Sequence, residues 1–158
     1  MGSSPAPLTA AMLLALALSS HAETVPNPNF DEGELAPVGW VVGSGTGQWS
    51  IVDGNRVLVT QGNGEQTSFW RSDSVGFAAN TLYRLRFRAR RLRGAAGSGT
   101  VMSGTLFANR DLGSIDASWA PFTSFFVSPE ISMALPAATD GLRFGQWHLA
   151  GAVAFDDI

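Results

Sequence analysis

The stretch YRLRFRARRLR, residues 83–93, decides the reading of this chain. With a period of two, Tyr83, Leu85, Phe87 and Ala89 fall on one side and Arg84, Arg86, Arg88 and Arg90 on the other. That is a β-strand with one apolar and one cationic face. The ten basic residues of the chain are all arginine, and six of them lie between Arg84 and Arg93. Working outward, the same alternation recurs in short runs set apart by Gly, Asn, Asp, Ser and Pro, with almost no helical periodicity. Strands are predicted at 39–44, 48–52, 56–61, 67–72, 82–92, 100–108, 122–128, 142–148 and 152–158. About nine strands without long helical crossovers suit an all-β antiparallel sandwich or jelly roll rather than a βαβ fold. Asp53-Gly54-Asn55 reads as a hairpin loop with Gly54 at positive φ, and GAAGSG at 94–99 as a flexible connection. No internal repeat of useful length is present.

The amino-terminal segment reads as a leader and not as part of the sandwich. TAAMLLALAL, residues 9–18, is an apolar core followed by Ser20, His21 and Ala22, a small-x-small cleavage pattern, although MGSSPAPL before it carries no Lys or Arg. A membrane span needs about 20 apolar residues, so an exported protein (secreted, periplasmic or at the cell surface) with residues 1–22 removed is expected. Residues 23–158 then suffice for one domain with its own core, expected to be monomeric. The chain stops at FDDI inside a predicted strand, the pattern expected of an N-terminal domain in a longer protein. With no cysteine there is neither a disulfide framework nor a thiolate metal site, which leaves oxygen ligands and a hard ion. Beyond the leader there is no lysine and one histidine, His148, a composition poor in nucleophile-and-base chemistry, so no enzyme is expected within these residues. Thirteen acidic against ten basic residues give no general attraction for nucleic acid or a membrane surface.

Several segments together resemble a known group. NPNFDEGELAPVGW at 27–40, YRLRFRAR at 83–90, Trp119 leading into FTSFFV, and LRFGQWHLAGAVAFDDI at 142–158 resemble the galactose-binding-like jelly rolls. Among these the chain looks most like the carbohydrate-binding modules of secreted polysaccharide-degrading enzymes, with their N-G-x-F-E-x-G opening and F-D-D-V close. The resemblance implies non-catalytic binding of a polysaccharide or oligosaccharide, targeting an exported polysaccharide-active enzyme or cell-surface protein to a glycan. The alternative is a structural or protein-interaction sandwich that binds no sugar, since the fold serves both ends.

The resemblance also implies a structural Ca2+ between the first and last strands. Asp31 stands where the group usually has Glu, one methylene shorter, and Asp156 is the first acid of FDDI. Independently, Ca2+ takes roughly six to eight oxygen ligands, and the acid pairs Asp31-Glu32 and Asp156-Asp157 sit at opposite chain ends; solvated loop acids are the plainer reading. For a sugar, the requirement is a flat aromatic face flanked by planar hydrogen-bonding groups. In LRFGQWHL, if Leu142 and Phe144 enter the core, Arg143 and Trp147 point the other way with Gly145 between them. In TSFWRS, Trp70 falls opposite Phe69 and Arg71 and is the second candidate platform, although a tryptophan in a sandwich is more often core. Trp40 and Trp119 read as core or corner residues, and Trp49 as either. Asn109, Arg110 and Asp111 are expected together in a loop, as ligand groups or as a self-satisfied turn.

The arginine strand admits three explanations: a solvated outer face, charge that discourages edge pairing, or recognition of an anionic ligand by Arg84, Arg86 and Arg88. Side chains two apart on a strand lie ~7 Å apart, within the Debye length of ~8 Å, so four arginines in a row repel unless acids or a polyanion neutralise them.

Overall fold

Alternation becomes strand throughout the computed structural model, which describes residues 25–92, 100–104, 110–128, 139–147 and 149–158. Residues 1–22, the 94–99 connection, Asn109 and His148 lie outside the described residues. The strands are β1 (Trp40–Ser44), β2 (Thr46–Val52), β3 (Asn55–Asn63), β4 (Ser68–Ser72), β5 (Val75–Gly76), β6 (Leu82–Arg91), β7 (Thr100–Gly104), β8 (Arg110–Ser114), β9 (Ala120–Val127), β10 (Thr139–Asp140), β11 (Arg143–Trp147) and β12 (Ala150–Asp156). Each of the nine runs read from the sequence contains a strand, and residues 105–108 and 148 of those runs lie outside the described residues. The three strands that the reading lacked are β5 and β10, two residues each, and β8, whose RDLGS carries too little apolar alternation to announce itself. Arg110 and Asp111, expected in a loop, are the first residues of β8.

Two five-stranded antiparallel sheets face each other. One has the order β1-β4-β11-β7-β8, the other β2-β3-β12-β6-β9, and β5 pairs with β10 beside them. The β2–β3 hairpin shows how local chemistry sets register. Asp53 and Gly54 both have positive φ, 53° and 91°, the twist of a two-residue type I′ turn, and this pairs Val52 with Asn55 and Trp49 with Leu58.

The core fills the space between the sheets. β6 contributes Leu85, Phe87 and Ala89, β12 Val153 and Phe155, β3 Leu58, β4 Trp70, and β11 Phe144, with Trp40 and Phe30 closing one end. Phe87 is its centre, with ring centroids 4.7 Å from Phe144 edge-on and 5.6 Å from Phe122 stacked. Such aromatic pairs contribute ~0.5–1.5 kcal/mol each beyond the area they bury.

β6 lies between β12 and β9 and is no edge, so its charge does not protect an open edge from pairing. On its outer side, Val57, Val59 and Ala154 form a small second cluster covered by Val52, Leu92, Ala152 and Trp119. Trp119 is thus a cover for the outer face, its ring 5.4 Å from the Arg88 guanidinium and 5.2 Å from that of Arg90. Arg88 pairs with Asp157 at 3.0 Å and Arg90 with Asp53 at 2.8 Å. Arg84 and Arg86 are exposed and have no ion pair among the described residues. Internal acids neutralise half of the row.

Candidate functional site

Strand alternation, applied to β4 and β11, builds an open surface on the outer side of the β1-β4-β11-β7-β8 sheet. In β4, Ser68, Trp70 and Ser72 are buried while Phe69 is half-buried and Arg71 exposed. In β11, Phe144 and Gln146 are buried while Arg143 and Trp147 are half-buried. The register places Arg143 opposite Arg71 and Gly145 opposite Phe69. Phe69, Arg71, Arg143 and Trp147 therefore share one outer face.

Two glycines shape that face. A Cβ at Gly145 would stand 2.5 Å from the Phe69 Cβ, and one at Gly43 of β1 would stand 2.3 Å from Phe69 Cε2. An edge of the Phe69 ring thus comes up against Gly43 of β1, in space that a side chain there would fill. The guanidinium carbon of Arg143 is 5.4 Å from the ring centroid, within cation–π range. Asp111 in β8 is the register partner of Met102, itself the partner of Gly145, so it lies at the same face two strands away. It is exposed, and its carboxylate accepts a hydrogen bond from the Gly113 N–H at 2.9 Å.

Arg143 and Trp147, named from the sequence, stand on this face with Asp111. Arg110 pairs in register with Ser103 and so falls at a position of opposite parity to Asp111, which separates two residues expected together. Trp70 requires a correction. It is 5 % exposed, sits in the core, and donates its Nε1–H to the Val59 carbonyl at 2.9 Å. Its neighbour Phe69 holds the outward position that the sequence reading assigned to Trp70. Trp40 is core, with Nε1 donating to the Pro26 carbonyl at 2.8 Å. Trp49 packs against the core, covered by Arg56 at 4.1 Å, and donates to the Phe30 carbonyl at 2.8 Å.

The first and last described segments meet at a second feature, a pocket of about 190 Å3 lined by Asn29, Asp31, Asn55, Asp156 and Asp157. The loop that carries Asp31 is set by Asn27, whose amide donates to the Glu32 carbonyl and accepts from the Glu32 N–H, and by Phe30, fully buried at φ 58°. The Ile158 N–H donates to the Pro28 carbonyl at 3.2 Å. Asp156 is 3 % exposed. Burial raises its pKa, as does the neighbouring charge of Asp157, and the Asp157 N–H, the Asn55 side chain and Arg88 only partly offset this. Among the described residues, no three acidic, His or Cys side chains converge closely enough to hold a metal ion by themselves, so a cation here would also draw on amide and carbonyl oxygens.

No family model matches the chain, and no curated protein does. Solved structures do match. The CBM22-1 xylan-binding domain of Xyn10C from Paenibacillus barcinonensis shares 13 % identity over 88 % of this chain and 94 % of that one, with a TM-score of 0.58. A CBM4 module shares 16 % over 85 % and 96 %, at 0.52. A cyclase from Fischerella sp. TAU, solved with 4-(1H-indol-3-yl)butan-2-one, shares 14 % over 87 % and 95 %, also at 0.58. A module and a cyclase on one scaffold show that the likeness speaks for architecture. The chain has the antiparallel jelly-roll sandwich of the carbohydrate-binding modules.

Proposed function

We propose that this protein is a non-catalytic carbohydrate-binding module whose site is the outer face of the β1-β4-β11-β7-β8 sheet. The observation that carries it is the Phe69 ring set against Gly43 on an open sheet face, flanked by Arg143 and Arg71 and continued by Trp147. An aromatic face stacks on the C–H patch of a sugar ring, and guanidinium donors meet its oxygens. The fold shared with carbohydrate-binding modules supports the same reading. In an exported protein the module would hold a polysaccharide-active enzyme, or a cell-surface protein, on its polymer.

Affinity electrophoresis against a panel of polysaccharides tests it. The chain is expected to be retarded by at least one, and Phe69→Ala and Trp147→Ala to lose about 1–3 kcal/mol of binding each, by analogy with aromatic stacking on flat rings. A wild type that no polysaccharide retards would sink the reading.

The protein-interaction alternative has one observation in its favour. Leu82, Phe125 and Val127 are 65 %, 52 % and 56 % exposed on the outer face of β6 and β9, where Leu82 pairs with Val127 and Arg84 with Phe125. Such a patch suits a protein contact.

The Asp31–Asp156 pocket is proposed as a structural Ca2+ site. A nearly buried carboxylate that its own surroundings leave under-compensated, lined by further carboxyl and amide oxygens, fits a hard cation. Asp31 and Asp156 would hold the ion, with Asp157, Asn29 and Asn55 beside them.

A further inference from the structure

Arg71 and Arg143 are register partners on adjacent antiparallel strands. Such partners have Cα atoms ~4.5–5.5 Å apart, closer than neighbours along one strand face, and like charges there oppose each other. Neither residue has an ion pair among the described residues. The Nε–H of Arg143 is buried with no acceptor among the described residues, and its guanidinium rests over the Phe69 ring without a carboxylate partner. The stem of Arg71 runs tightly over the strand connection, where a Cβ at Gly141 would stand 2.6 Å from its Cγ. Two arginines without an ion pair among the described residues thus occupy facing positions of the sheet, and the guanidinium of one, Arg143, lies over the Phe69 ring.

The β6 arginines differ. Arg88 and Arg90 are neutralised by Asp157 and Asp53, while Arg84 and Arg86 are open to water and salt. Arg90 also has a buried Nε–H without an acceptor and an aromatic neighbour in Trp119, but Asp53 neutralises it; among the described residues, Arg71 and Arg143 face each other in register with no acid to do so. A neutral sugar on Phe69 would leave that repulsion standing. A hexuronate removes it, because its carboxylate lies at the edge of the ring and can accept from both guanidinium forks while the C–H face lies on Phe69.

We infer that the polysaccharide bound at this face is a polyuronate, with Arg71 and Arg143 receiving the carboxylate of the unit stacked on Phe69. This rests on the carbohydrate reading and names the sugar class it selects.

The test is calorimetric titration of the whole chain with polygalacturonate and alginate, each beside its carboxyl-reduced counterpart, and with dextran sulfate and polyglutamate. At least one polyuronate is expected to bind about tenfold or more tightly than its reduced form, and to weaken as salt rises towards about 0.5 M. Arg71→Gln and Arg143→Gln should each remove most of that difference between the acid and the reduced polymer. Arg84→Gln/Arg86→Gln should change nothing. If Arg143→Gln fails to fold by circular dichroism, Arg71→Gln, at an exposed position, carries the test alone. Equal binding of acid and reduced polymers overturns the inference and leaves carbohydrate binding intact, whereas binding of no sugar at all overturns both. Comparable binding of dextran sulfate or polyglutamate, or a loss in the Arg84/Arg86 variant, overturns the assignment to a carboxylate at this pair.

Discussion

Trp70 and Phe69 are neighbours in sequence and do opposite things. The indole of Trp70 satisfies its one donor on the Val59 carbonyl inside the core, and the smaller Phe69 lies on the open face. Period two identifies the pair as inward and outward but cannot say which is which when both residues are aromatic. Glycine settles it, because Gly43 and Gly145 leave room on the outer side for the Phe69 ring. The expected consequence is a clean division between stability and binding. Trp70→Ala should cost about 3–5 kcal/mol of unfolding free energy, as truncation of a buried aromatic does. Phe69→Ala and Trp147→Ala, at half-buried outer positions, should stay within about 1 kcal/mol while binding is lost. Denaturant unfolding of the three variants, set beside their affinity electrophoresis, measures both. A Trp70→Ala protein of wild-type stability would contradict the core assignment.

At the scale of the element, β6 and the β2–β3 hairpin carry the contrast between pattern and context. The alternation of YRLRFRAR was enough to place Leu85, Phe87 and Ala89 in the core. It was not enough to explain the arginines, whose partners Asp157 and Asp53 are distant in sequence. These pairs are part-exposed, and pairs of that kind contribute ~0–1 kcal/mol, so they relieve repulsion within the row more than they hold the fold. The hairpin depends on Gly54. A Cβ there would touch nothing within 4 Å, yet its φ of 91° is one that L side chains rarely adopt. Gly54→Ala is therefore expected to cost about 1–2 kcal/mol through backbone strain alone, with binding unchanged. Thermal unfolding reads this directly, and an unshifted Tm would mean that the turn can change type.

At the scale of the molecule, the first and last described segments are joined by the Ile158–Pro28 hydrogen bond and by the acid pocket around Asp156. The raised pKa of Asp156 means that the folded state holds its proton more tightly than the unfolded state, whose carboxyl has the ordinary value of 3.8. Without a cation, the contribution of Asp156 to stability is then greatest below that value and declines as pH rises through the folded pKa. The proposed Ca2+, once bound, would favour the carboxylate and reverse the slope of that contribution. At neutral pH, Ca2+ should raise Tm and a chelator lower it, by mass action on the folded state. The difference should vanish in Asp156→Asn and shrink as pH falls towards 4. An equal Tm with Ca2+ and with chelator in the wild type removes the ion from the account. What the sequence alone determined was the class of fold, the inward set of β6, the inward placing of Leu142 and Phe144 and the Asp53-Gly54 turn, because alternation and turn chemistry act between near neighbours. Tertiary structure decided which aromatic faces outward, which arginines are neutralised, that β8 is a strand, and that Arg71 meets Arg143. Those depend on register between strands far apart in sequence, 72 positions in the 71–143 pairing and 97 in the 58–155 pairing, and no local pattern encodes that register.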